Sequence, residues 1–459
     1  MRSMAEPPGN HRAGTGFWSG VGRLGRRLAR WAAYVLVVVA LGILFWLRHA
    51  LYDHWSRFPR QAKALAALRA QRHSVASLPG WHEYRGILHA HSKLSHDCQV
   101  SFEDLQEVLK KTGIDFICLA DHCRDGRADF DSQWRGLHDG KLFIPGFEMR
   151  DGFMPLGARP GTVLSNETDS ATLARQIAQS GAVLFYAHPE EPREWDLPEL
   201  SGMEIYNIHT DFKRYPGGIR GLLPEFLVNQ ARYPEQIFWR MFQRPTDFLR
   251  HWDQLNATRH ITGIAGNDCH QNVGFRLVCT GPDSLRVEDT TPNFRRTVRL
   301  NWLTRPLASL LLGPLETDRE VLHVQLDPYE RMARVVNTHV LARDLSEEEI
   351  LSALRAGRAF VGFDLLADSS GFSWWASNGT NNALPGESGT LSRTTTLHAW
   401  SPLPCRFTVF RDGLQVARGQ GRQLDLAVTQ AGKYRAEAEL QVDAEWFPWV
   451  YVNPIQLQQ

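Results

Sequence analysis

The sequence predicts an α/β fold of the TIM-barrel type, preceded by one membrane-spanning helix and followed by a small all-β sandwich. Three observations predict it. An uncharged run of seventeen residues, Trp31–Leu47, lies near the start. Between residues 85 and 270, short apolar strands alternate with helices, and His, Asp or Glu stands at or just past the strand ends. From about residue 390, short strands follow one another without helices. Strand–helix alternation implies a parallel sheet, and closely spaced strands with turn signals imply a sandwich.

Charge separates the same regions. The 459 residues hold 51 Lys+Arg and 50 Asp+Glu, a net charge of +1. Residues 1–72 carry eleven Arg and Lys63 against only Glu6 and Asp53, so the remainder is net acidic. A basic segment of this kind faces an anionic surface, while a mildly acidic body lacks the basic stripe of a nucleic-acid-binding protein. The composition is that of a globular protein. Six Cys with no CxxC pair exclude a disulfide scaffold and a thiolate zinc knuckle.

Taking the elements in order, residues 1–30 read as a basic tail and 31–47 as the transmembrane helix. The run is just long enough to span a hydrocarbon core of about 30 Å. Trp31 and Trp46 sit where interface anchors belong. Residues 48–80 read as a juxtamembrane stalk, Ala-rich and helical over 61–72 and broken at Pro79-Gly80. Positions 11–30 carry five Arg, and 48–67 carry three Arg and one Lys. That difference of one charge places the catalytic part on the periplasmic or outer side.

Residues 81–365 form the barrel region. Arg85–His91 is a strand ending in His89-Ala90-His91, whose i and i+2 imidazoles share one face. Ser95, His96 and Asp97 follow in a loop. Ser101 caps a helix that ends at Gly113. The strand Ile114–Ala120 runs into Asp121-His122, and Lys141–Phe147 into Glu148. After the helix Ala171–Gln179, the strand Ala182–Ala187 leads to His188. Met203–Tyr206 leads to Asn207 and His209, and Ile261–Ala265 to Asp268 and His270. Residues at the carboxyl ends of barrel strands converge even when far apart in sequence. His nitrogens with carboxylate oxygens, and no Cys, suit zinc, manganese or iron. Each element alone is more often an ordinary loop histidine; their repetition carries the inference.

The order of these motifs resembles PHP (polymerase and histidinol phosphatase) domains. HAHSKLSHD (89–97), LADHC (119–123), GFE (146–148), AHP (187–189), MEIYN (203–207) and GNDCH (266–270) look like the successive PHP motifs over residues 84–275. The resemblance implies a distorted (β/α)7 barrel holding two or three divalent ions and, typically, phosphoester hydrolysis. By position it implies that His89, His91, Glu148 and Asp268 hold one metal. Glu148 would bridge to a second, held also by His188. His122 and His270 match ligands of a third, with Asp97 rather than the neighbouring His96 beside them. The family usually supplies another His after the Glu, and none lies between Glu148 and His188. His209 or a water can take that place.

A divalent ion lowers the pKa of its water toward neutrality, and paired ions stabilise a phosphoryl displacement. Asp97 and His209 are the candidates for proton handling. Arg124, Lys213 and Arg214 follow motif residues and can hold a phosphate, with plain surface charge as the alternative. The expected substrate is a phosphorylated or ester small molecule. Hydrolysis of carboxylic or carbamate esters and a degenerate, non-catalytic scaffold are the competing functions.

Within the barrel region, residues 212–260 read as a helical insertion at the pocket mouth. Asn166, Asn256 and Asn378 fit the glycosylation triplet, a short pattern that is mostly chance. Leu345–Ala356 is a helix capped by Ser346 and ended by Gly357, with the strand Ala359–Phe363 after it. Residues 366–459 form the sandwich, with strands at 394–400, 407–410, 414–417, 424–428, 434–440 and 449–452. Asp412-Gly413 is a hairpin signal.

Overall fold

The computed structural model describes residues 15–75, 80–216, 218–289 and 295–459. The start of the expected basic tail and Pro79 lie outside the described residues. The chain folds as a mixed α/β protein with a long N-terminal apolar helix.

That helix, α1 (Thr15–Tyr52), takes in the second half of the expected basic tail as well as the apolar run. It is long and apolar enough to cross a membrane, as a signal sequence also can be, and its apolar window is unburied among the described residues. Beyond it lies the segment expected as a juxtamembrane stalk. The helix runs on through a wider turn at Asp53–Arg57 into α2 (Phe58–Arg69), which lies on the body. Phe58 and Leu65 are buried. Arg57 pairs with Glu445 at 2.5 Å, Arg60 with Asp443 at 3.2 Å and Arg72 with Asp368 at 3.3 Å. Arg240 bridges Asp53 to Glu225. Much of the basic charge past the apolar run therefore meets acids of the body.

Two sheets carry the central region. In the first, β1 (His82–Ala90), β2 (Phe116–Leu119) and β3 (Lys141–Ile144) run parallel. Between β1 and β2 lies α3 (Phe102–Thr112), with the reciprocal Ser101/Asp104 capping box and a left-handed Gly113. Its buried Leu105 and Leu109 are four residues apart, so one apolar stripe faces the sheet. The second sheet holds β4 (Phe153–Leu156), β5 (Val183–Tyr186), β6 (Leu200–Asn207) and β7 (Thr262–Gly266), with α4 (Ser170–Gln179) before β5. β5, β6 and β7 are parallel, whereas β4 is antiparallel to β5. Isolated bridges Ala90↔Cys269 and Gly146↔Leu156 link the margins of the two sheets.

The regular alternation expected from sequence is incomplete, since among the described residues no α-helix separates β2 from β3 or β5 from β6. Four helices instead crowd between β6 and β7: α5 (Ile208–Arg214), α6 (Gly218–Asn229), α7 (Pro234–Trp239) and α8 (Thr246–Thr258). After β7 comes an antiparallel sheet of β8 (Gly274–Gly281), β9 (Ser284–Asp289), β10 (Arg295–Arg299) and β11 (Glu320–Gln325), with α9 (Thr304–Leu312) before the last strand.

Helix α10 (Tyr329–Val335) leads to β12 (Asn337–Ala342), which returns antiparallel to β1. After α11 (Glu347–Ala356), β13 (Ala359–Gly362) pairs with β12 on one side. Its other side pairs with a C-terminal strand through Phe360↔Val452. The pairing thus runs unbroken from the central strands into the C-terminal ones, and one sheet contains fourteen strands. Four of the expected short C-terminal strands merge into two long ones, 396–411 and 414–427, which continue across a register shift after Trp400. Asp412 and Gly413 turn between them with φ of 50° and 77°, as an Asp-Gly hairpin requires.

Candidate metal centre

The strand ends of both sheets meet in one cluster. His89 lies at a bulge of β1, where pairing with β2 shifts between Leu88 and Ala90, and its φ is 89°. His188 and Asp268 also have left-handed backbones, with φ of 50° and 48°. Such conformations cost roughly 1–3 kcal/mol each and persist where the surroundings impose them. Here they turn three side chains inward just as their strands end.

All eight residues expected as ligands lie in this cluster, in three overlapping groups. His89 and His91 stand with Glu148, and the Nε2 atoms of both also lie 3.3 and 3.4 Å from Asp268 Oδ1. His188 Nε2 is 3.2 Å from Glu148 Oε1 and 3.6 Å from Asp268 Oδ2, so both carboxylates span two groups. Asp97 Oδ2 lies 3.5 Å from His122 Nε2 and 3.2 Å from His270 Nε2. His96, the neighbouring alternative, is exposed. His122 reaches Glu148 Oε2 at 3.5 Å because Asp121-His122 pairs in register with Phe147-Glu148. His209, at the start of α5, places Nδ1 2.6 Å from Asp268 Oδ2.

The donors fit metal ions. His89 Nε2, His91 Nε2, His270 Nε2, Asp97 Oδ1 and Asp268 Oδ1 are buried with no hydrogen-bond partner. Buried polar atoms are ordinarily satisfied, so several orphans within these groups suit a cation. The protonation pattern agrees. Burial pushes His89 down, but Asp268, Glu204 and Glu148 outweigh it and raise it well above the ordinary histidine value. Against the same burial, Glu148 and Glu190 raise His188 to about 10. Burial and the neighbouring His270 push His91 down to about 3. Glu148 and Asp268 resist burial through their histidine partners and stay well below the carboxylate range. Protons thus sit on His89 and His188 where a divalent cation would satisfy the same carboxylates.

Sequence reasoning assigned no role to the residues that hold this arrangement. Glu204 is fully buried on β6. Its Oε1 lies 2.6 Å from His89 Nδ1, and its Oε2 accepts from the His188 amide at 2.9 Å and Asn207 Nδ2 at 2.8 Å. Gly266 makes room for it, since a Cβ there would lie 2.1 Å from Oε1. Ser95 Oγ lies 2.9 Å from His91 Nδ1, accepts from the His122 amide and donates to buried Asp121. Glu204 lay inside the MEIYN motif and Ser95 inside HAHSKLSHD, but only long-range packing shows what either touches.

A cavity of about 510 Å³ opens over the cluster. Ile208, Phe212 and Met332 supply its apolar wall, and Lys213 stands at its rim, 3.7 Å from Glu190. Of the three cations considered for phosphate, only Lys213 lines the cavity. Arg124 donates to the Lys93 and Leu94 carbonyls, and Arg214 covers the Phe248 ring at 4.7 Å. Among the glycosylation triplets, Asn256 is buried and bonded to the Ile261 carbonyl.

No family model and no curated protein matches the chain. One similar solved structure, from Bacteroides vulgatus ATCC 8482, is a two-domain protein containing a predicted PHP-like metal-dependent phosphoesterase. It is 13% identical, the match covers 83% of this chain and 98% of that one, and the TM-score is 0.34.

Proposed function

We propose that the chain is a membrane-anchored, metal-dependent phosphoesterase of the PHP type, acting on a phosphorylated small molecule. The observation that carries this reading is the set of orphaned His and carboxylate atoms in three ligand-like groups beneath an open cavity. Strands β1 to β7, with their two marginal bridges, form the distorted barrel that this reading requires, and residues 366–459 form its β-rich companion. Residues 31–47 are the anchor, and the slight Arg excess before them puts the cavity on the periplasmic or outer side.

His89, His91, Asp97, His122, Glu148, His188, Asp268 and His270 would hold two or three ions of zinc, manganese or iron. Bound there, the ions supply Lewis acidity and a water of lowered pKa. The chain's own groups do the rest. Lys213 holds the phosphate at the rim. Ile208, Phe212 and Met332 keep bulk water from the reacting group. Asp268 accepts from His209 Nδ1–H, which leaves His209 Nε2 to take up or deliver a proton. Asp97 carries the negative charge that keeps His122 and His270 in place.

The test is hydrolysis of p-nitrophenyl phosphate and bis-p-nitrophenyl phosphate, beside an aryl acetate, on one preparation with added Mn²⁺ or Zn²⁺. Metal content by mass spectrometry accompanies it. Phosphoester turnover lost in His89→Ala and Asp268→Ala is expected. Turnover of the acetate alone points to a carboxylic esterase. Absence of metal, with activity unchanged in both variants, overturns the proposal. Protease accessibility in spheroplasts tests the side of the membrane.

A further inference from the structure

The sheet of β8 to β11 is an arm rooted at the cavity. It leaves from Val273 and returns to Asp327, both of which line the cavity. Where the arm bears β10 and α9, the chain is exposed. Every residue of β10 is exposed, and Trp302, Leu303, Leu307 and Leu310 are 86, 65, 56 and 81% exposed. A helix this short gains its stability from burying an apolar face, and none of these four side chains is buried. Contiguous exposed apolar surface of this kind marks a site of interaction.

The surrounding charge identifies the partner. Residues 290–315 contain four Arg, at 295, 296, 299 and 305, and no Asp, Glu or Lys, and acids in or next to β9 meet two of them, Glu288 at 3.5 Å from Arg295 and Asp283 at 3.2 Å from Arg305. Leucines to insert, a tryptophan to sit at headgroup depth and arginines to meet phosphates are the features of an interfacial segment on anionic lipid. A second copy of the chain fits poorly. Symmetric pairing would bring one Arg-rich stretch against another, whereas lipid phosphates meet its positive charge.

The apolar helix points the same way. Beyond its apolar run, α1 reaches α6, where Asn229 Nδ2 donates to the Ala50 carbonyl at 3.1 Å and Asn229 Oδ1 lies 2.9 Å from His54 Nδ1. Helix α6 follows α5, whose His209, Phe212 and Lys213 line the cavity. Leu223 and Leu227 of α6 are themselves exposed. The base of the anchor therefore packs on the helix that follows α5, and the root of the arm lines the cavity.

We infer that β10 and α9 form a foot that binds anionic lipid headgroups and holds the cavity mouth at the bilayer surface. This rests on reading α1 as a membrane anchor. The test reconstitutes the full chain into nanodiscs of phosphatidylcholine, with or without phosphatidylserine, and follows amide exchange of residues 295–312 and 31–47 separately. In phosphatidylserine discs, 295–312 should exchange at least about tenfold more slowly than in detergent, an effect lost in about 1 M salt. Leu307→Asp with Leu310→Asp should abolish that slowing while 31–47 stays protected and the melting temperature is unchanged. Equal exchange of 295–312 in all conditions overturns the foot. So does protection already present in detergent that rises with protein concentration, because it identifies a second copy as the partner. Unprotected 31–47 overturns the anchor instead, and 295–312 is read independently of it.

Discussion

Glu204→Gln changes one buried atom, and its consequence can be worked from the hydrogen bonds. Glu204 offers only acceptors to three donors, His89 Nδ1–H, the His188 amide and Asn207 Nδ2. Glutamine keeps one acceptor and gains a donor. If its carbonyl faces His89, its amide meets the His188 N–H and Asn207, and two buried donors lose their acceptor at about 1–3 kcal/mol each. If its amide faces His89, the proton is driven to Nε2, the atom directed at the metal. Loss of such an orienting partner typically costs 10–100-fold in metal affinity. The second orientation therefore weakens metal binding by about 1.4–2.8 kcal/mol on that scale. Calorimetric titration of the metal-free protein with Zn²⁺, beside thermal melts of the metal-free forms, separates the two. The first orientation lowers stability without metal, and the second mainly lowers affinity. Wild-type affinity together with wild-type melting would refute the reasoning.

Other consequences can be measured on the same preparation. Asp97→Asn removes the charge between His122 and His270 and should release one ion while leaving the others, read as metal stoichiometry. Lys213→Ala should raise KM for a phosphorylated substrate by about 3–10-fold with kcat little changed, since one partly exposed cation contributes about 1 kcal/mol to binding. His339 is buried between Asp364 at 2.8 Å and Glu83 at 2.6 Å, far from the metal cluster in the chain. Burial lowers its pKa, but these carboxylates outweigh it and raise it to about 9. Because the folded value exceeds the unfolded one of about 6.5, this histidine contributes about 3 kcal/mol below pH 6.5. That stability is lost as pH rises through about 9. Chemical denaturation from pH 6 to 10 should show the decline, and a flat profile over that range would contradict it.

The helices and strands that bound the centre were legible because their signals are local. Ser101 with Asp104 and Gly113, or Ser346 with Gly357, act within one turn of the helices they bound. The His, Asp and Glu of the cluster were legible because they recur at strand ends. Less legible was the regularity of the fold. The alternating pattern did not show that β4 runs antiparallel or that pairing continues from β13 into the C-terminal strands. Strand partners are chosen by distant residues, and an apolar strand reads alike in either direction. What residues 48–72 touch was hidden for a similar reason. The Arg residues of this helical segment show no partner in sequence, because the acids that pair with them, Glu445 and Asp443, lie nearly four hundred positions away.

By itself, then, the sequence determined the inventory: an apolar run, helix caps, and His, Asp and Glu placed where strands stop. Each follows from residues within a few positions of one another. Tertiary structure alone decided the geometry that can make these a site. It set the left-handed turns at His89, His188 and Asp268, and brought Glu204 onto His89 from 115 residues away. It also left α9 uncovered beside its arginines. The difference is physical. Caps and apolar runs act over one turn of chain, whereas a carboxylate finds its imidazole only when the packing of distant strands removes both from water.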